Sequence, residues 1–302
     1  MTRFLLVFCL LLSSTMARAD ERIFYQPLNV DASLNQAQWQ RIWQDTAKQG
    51  VQTVIVQWTA YGDSNFGGVD GWLANSLKLA HEQGLKLVLG LNMDPAYYQR
   101  IDELDSAGLA TYWQAQLGQS LAQQQRLRQD WKLPVSGWYL PMELDDLHFL
   151  AVDRRQTLQR QLEDFAGKLD APLHVSAFTA GKLAPQVNGQ WLGGLASAGI
   201  HVWWQDGAGT GRLPPLVRNG YASALPCPVG IVREAFRKVS AEGQPFRAEP
   251  ATPDATSASC HPTAVFSLRY RPWGEVILDN QRKHQVGDVS KHSGKDRTTF
   301  HQ

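Results

Sequence analysis

Val135-Ser-Gly-Trp-Tyr-Leu-Pro-Met-Glu-Leu-Asp-Asp146 begins as an apolar run and turns acidic within a few residues. Trp138, Tyr139 and Leu140 read as a buried strand, and Glu143, Asp145 and Asp146 follow just before a helical segment. A parallel strand in an α/β protein is covered on both faces, so only its C-terminal tip can reach a ligand. Carboxylates at that tip are where acid chemistry would be presented. Asp145 and Asp146 read equally well as caps of the next helix, whose N-terminus favours negative charge. Glu143 lies nearer the strand end and leans toward function.

The same unit recurs on either side. Apolar, β-branched runs at 23–27, 53–58, 86–91, 173–178 and 199–204 predict further strands, each followed by a helical pattern or a polar turn. The seventh unit is weaker: residues 229–239 read as a helix, and Pro245-Phe-Arg-Ala-Glu249 reads as a strand ending in a carboxylate. Residues 264–270 supply the eighth strand. Eight strands alternating with helices, with no Pro/Gly/Ser linker to divide them, predict one (β/α)8 barrel domain of class α/β over residues 20–279. The polar, basic stretch 280–302 reads as a flexible or loosely packed tail.

The first 19 residues read as a cleaved signal peptide: Arg3, an apolar stretch at 4–12 too short to span a bilayer, and Ala17-Arg18-Ala19 as the cleavage site. That predicts a periplasmic or secreted protein with no membrane anchor after cleavage. Removing Arg3 and Arg18 turns the chain's formal charge of +1 into −1, with 27 basic against 28 acidic residues. No basic stripe interrupts this near-neutrality, which argues against nucleic acid or an anionic membrane as partner. Cys227 and Cys260 then remain, and an oxidising compartment favours one disulfide over two free thiols. The absence of His-x-x-x-His or Cys-x-x-Cys spacing leads us to expect no metal and no cofactor. Asp145, Asp146 and His148 could form a metal-dependent hydrolase only without a supporting ligand cluster.

Three acids fall at predicted strand ends: Glu143, Asp206 and Glu249. Barrel strand tips converge on one mouth, so such residues can face each other across a space that holds a sugar ring. Glycoside hydrolysis needs that pair, one carboxyl protonating the leaving oxygen while the other attacks or activates water. A separation of about 5 Å predicts retention of configuration and about 6.5–9.5 Å inversion. Asp206 could instead order its Gly-rich loop, and Glu249 could be an ordinary surface acid. Aromatic residues crowd the same rim, including Trp58, Tyr61, Tyr97, Tyr98, Trp204 and Tyr270, and offer flat faces to sugar rings. Gln26, Gln57, Asn92 and Gln205 stand at strand ends as further substrate-binding candidates. Strand alternation requires Trp203 and Trp204 to point to opposite faces of their strand.

The segments Phe24-Tyr-Gln-Pro27, Gly137-Trp-Tyr-Leu-Pro-Met-Glu-Leu-Asp145 and Trp204-Gln-Asp-Gly-Ala-Gly209 resemble those of a bacterial domain-of-unknown-function family of glycoside-hydrolase-like TIM barrels. The resemblance implies a carbohydrate-directed site at Glu143, Gln205 and Asp206. Resemblance to barrel glycosidases, which pair the fourth and seventh strands, implies Glu143 as acid/base and Glu249 as nucleophile; the alternative pair is Glu143 with Asp206. The function expected is an exported glycoside hydrolase acting on a cell-envelope or extracellular polysaccharide or oligosaccharide. The alternative is an inactive barrel that binds polysaccharide during export or assembly.

Overall fold

The β-branched runs do form strands, and eight of them are parallel. A computed structural model describes residues 21–253 and 260–291, with side chains over 22–253 and 260–284. The segment read as a signal peptide, and residues 292–302 of the expected tail, lie outside the described residues. The barrel strands are β1 (Glu21–Tyr25), β2 (Val51–Val56), β3 (Lys86–Gly90), β4 (Gly137–Asp145), β5 (Leu173–Phe178), β6 (His201–Gln205), β7 (Gly230–Glu234) and β8 (Thr263–Phe266). Each pairs with its neighbour in chain order, and β1 closes the ring against β8 through Arg22↔Ala264 and Ile23↔Val265.

Alternation along the strands separates two cores. Phe24, Ile55, Val88, Tyr139, Trp203, Val232 and Ala264 come from seven different strands and fill the barrel interior. The opposite faces pack against the helices, which are α1 (Gln36–Lys48), α2 (Trp72–Glu82), α3 (Tyr97–Glu103), α4 (Ser106–Asp130), α5 (Val152–Ala166), α6 (Pro185–Ser197), α7 (Pro215–Ala224) and α8 (Glu275–Lys291). Trp204 belongs to this outer core while Trp203 fills the barrel, as the period of two requires. Burying both faces explains why the strands are uniformly apolar rather than alternating.

The seventh unit differs from expectation. Residues 230–234 are β7 itself, not a helix, and the helix of that repeat is α7, upstream. No helix joins β7 to β8 among the described residues. An antiparallel pair, Phe236–Lys238 with Ala248–Pro250, takes that place, with Arg237 opposite Glu249. Glu249 therefore does not end a barrel strand: it sits exposed on the returning arm of this hairpin. The disulfide expected between Cys227 and Cys260 is present and ties together the segments that lead into β7 and β8. Helix α8 runs past residue 279, and Asn280 bonds to Ser33 Oγ and to the Val30 carbonyl, so the start of the expected tail is packed.

Candidate active site

Glu143 is aimed by a break in its own strand. Pro141 has no N–H to give the ladder, pairing between β4 and β3 stops at Tyr139, and the register with β5 shifts between Leu140 and Leu144. The displaced backbone is fixed by Tyr97, whose hydroxyl donates to the Glu143 carbonyl at 2.8 Å. The side chain is buried, Oε1 accepting from Gln205 Nε2 at 2.7 Å and Oε2 from the Tyr98 hydroxyl. Burial pushes its pKa up, against the pull of those two donors, and Asp145 adds to the rise.

The second carboxyl is Glu234, the last residue of β7, which the sequence reading placed inside a helix. It is 5% exposed, and Oε2 accepts the backbone N–H groups of Gly209 at 2.6 Å and Thr210 at 3.0 Å. Burial, then the nearby charge of Asp206, pushes its pKa up to about 7, although the two N–H donors oppose this. The charge of Glu143 contributes as well, so the two glutamates feel each other. Both line one cavity of about 60 Å³, together with Tyr98, Trp204, Gln205 and Asp206.

Asp206 follows β6 and is tied to the loop. Its Oδ1 accepts the Ala208 N–H at 3.0 Å and, more weakly, the Glu234 N–H at 3.4 Å. Beyond Asp206, the chain must come close to Glu234. An added Cβ on Gly209 would lie 2.4 Å from the Phe236 carbonyl oxygen and 2.9 Å from Glu234 Oε2, which is why that position is glycine.

A second cavity of about 330 Å³ opens on the other side of Glu143, with Glu143, Tyr98 and Phe266 lining both. Gln26, Gln57, Trp58, Tyr61, Arg269 and Tyr270 are among its walls.

The chain matches the family described as "Domain of unknown function (DUF4434)" over residues 22–252. It belongs to that family. It is also 34% identical to "Uncharacterized protein YbcH" of Escherichia coli (strain K12), over 89% of this chain and 96% of that protein. Among solved structures it is similar to "a putative alpha-L-fucosidase from Bacteroides thetaiotaomicron VPI-5482", with a TM-score of 0.52 and 13% identity over 90% of this chain and 96% of that one. At that identity the likeness is one of fold. The family is the one that the three sequence segments resembled, and the fold is the TIM barrel expected of it.

Of the site candidates read from sequence, this DUF4434 chain gathers Glu143, Asp206, Trp204 and Gln205 around the smaller cavity and Gln26, Gln57, Trp58, Tyr61 and Tyr270 around the larger. Two fall elsewhere. Asn92 lines neither cavity because its side chain is turned to α4, where Nδ2 donates to Gln119 Oε1 at 3.0 Å. Glu249 lies by a separate depression with Arg247 and Arg282. The acids after Glu143 hold structure: Asp145 accepts the Leu147 and His148 N–H groups and bonds His148 Nδ1 at 2.8 Å, while Asp146 accepts three backbone N–H groups at Ala180, Lys182 and Leu183. Glu234 and Tyr98 were missed as partners of Glu143. The signal available for Glu234 was its place just after the β-branched run Ile231-Val232.

Proposed function

We propose that this protein is an exported glycoside hydrolase acting on a polysaccharide or oligosaccharide of the cell envelope or the medium. The observation that carries the reading is a pair of buried glutamates, Glu143 and Glu234, at the tips of β4 and β7 on one cavity. Both are driven toward the protonated form by burial, and the charge of Glu143 adds a smaller push on Glu234. We assign the proton to Glu143 because it lines both cavities, while Glu234 reaches the charged form its role requires as pH rises through about 7.

In this assignment Glu143 gives its proton to the glycosidic oxygen as the C–O bond breaks. Glu234 supports the anomeric carbon from the other side, either bonding to it or taking a proton from the attacking water. Asp206 acts through Glu234, holding the loop and raising the glutamate's proton affinity. Export is supported by the segment that reads as a signal peptide and by the disulfide.

The test is reducing-sugar release from cell-envelope and exopolysaccharide fractions by wild type, Glu143→Gln and Glu234→Gln. We expect each substitution to slow release by about 10²–10⁴-fold. Equal release by all three proteins overturns the assignment. A second reading, a barrel that binds glycan without cleaving it, is favoured by one observation: both oxygens of Glu143 are already hydrogen-bonded by Tyr98 and Gln205. Glycan binding with no turnover in any of the three proteins would select it.

A further inference from the structure

The larger cavity contains an unmet hydrogen-bonding demand. Gln57 is the residue after β2, 3% exposed; its Oε1 is buried without a partner among the described residues, and the residue forms part of the cavity wall. Its position is rigid. The Gln57 N–H donates to the Tyr25 carbonyl at 2.8 Å, and β3 presses against it at Gly90, where an added Cβ would lie 2.3 Å from the Gln57 carbonyl. A buried amide oxygen without a donor is costly, so a site built around one favours a ligand that brings an O–H or N–H.

The remaining walls define what kind of ligand. Trp58 and Tyr61 pack with ring centroids 4.9 Å apart, and Trp58 is fixed by its Nε1–H to the Pro27 carbonyl at 3.0 Å. Arg269 is the cation of the cavity, but it is itself buried and already engaged. Nη1 donates to Gln281, Nη2 to the Gln26 carbonyl, and the guanidinium pairs with buried Asp31 at 3.5 Å. The cavity thus offers flat aromatic surface, amide groups and little uncompensated charge.

Resting on the hydrolase reading, we infer that the larger cavity is a subsite for an uncharged sugar unit on the leaving side of the bond, with Gln57 Oε1 accepting from a hydroxyl or acetamido N–H. The side follows from the walls. Glu234, which must face the anomeric carbon, lines only the smaller cavity, while Glu143, which must reach the glycosidic oxygen, lines both. The bond therefore crosses at Glu143, and the substrate has at least two units.

The experiment uses Glu234→Gln protein, which leaves the lining of the larger cavity unchanged and slows turnover. A panel of neutral, N-acetylated and uronate-bearing oligosaccharides of one to four units is titrated by calorimetry. Gln57→Met and Gln57→Glu are then made in the same background. We expect two-unit neutral ligands to bind at least tenfold more tightly than single sugars. Gln57→Met should weaken the two-unit ligand about tenfold or more, and Gln57→Glu, which keeps an acceptor, should restore most of that loss. Unchanged affinity in folded Gln57→Met, equal affinity for one and two units, or a preference for uronates overturns the subsite. The length dependence, read on Gln57-intact protein, decides the matter even if Gln57→Met does not fold. Binding of no member of the panel would instead bring down the hydrolase reading on which the subsite rests.

Discussion

Glu234 links the site to stability. Its folded pKa is about 7, above the usual glutamate value of 4.5, so the folded state holds a proton that the unfolded chain releases earlier. The stability associated with that proton is complete below about pH 4.5 and is lost as pH rises through 7. Glu234→Gln cannot titrate. From pH 5 to pH 8 we expect its unfolding free energy to rise relative to wild type by up to roughly 3 kcal/mol, read from urea midpoints at the two pH values. A difference that stays constant with pH would mean Glu234 is ionised throughout. Glu143 was legible in the sequence because an apolar run ends beside it. Glu234 was not, because Val232, Ala235, Phe236 and Val239 fall at the i, i+3, i+4, i+7 spacing of a helix while lying on a strand and a hairpin.

The element that completes the site is the loop after β6. In it Gly207 has φ +63°, and Gly209 allows backbone to touch Glu234. Gly209→Ala must lift the loop from the Phe236 carbonyl, at a cost of about 1–3 kcal/mol, and should remove most activity with the 2.6 Å bond. Gly220, inside α7, is the contrast: its Cβ would meet nothing within 4 Å, so Gly220→Ala should stabilise by up to about 1 kcal/mol with activity unchanged. Urea unfolding and reducing-sugar release on both variants check the pair. A helix over 229–239 leaves 245–249 as the next polar-ended stretch for a seventh strand, which is why Glu249 reads as a strand-end acid in the sequence. In the structure the chain reverses after Lys238 instead, and Phe236 and Phe246 from this hairpin wall the smaller and larger cavities respectively.

At the scale of the molecule, the barrel was readable because burial on both faces writes the same apolar signature into strand after strand, and one misplaced unit did not erase it. The staple between Cys227 and Cys260 spans 33 residues and holds the part of the ring that lacks a helix. Chain entropy alone assigns it about 3–4 kcal/mol. Replacing both cysteines by serine should lower unfolding free energy by about that amount, measured by urea denaturation with and without reductant. Reductant should reproduce the loss in wild type and leave the double variant unaffected. The ring itself is sealed by strands from opposite ends of the chain, β1 against β8. A nascent polypeptide emerging amino end first consequently holds an open, seven-stranded sheet with two unsatisfied borders until residue 266 has appeared, and during that interval those borders are its most adhesive surface.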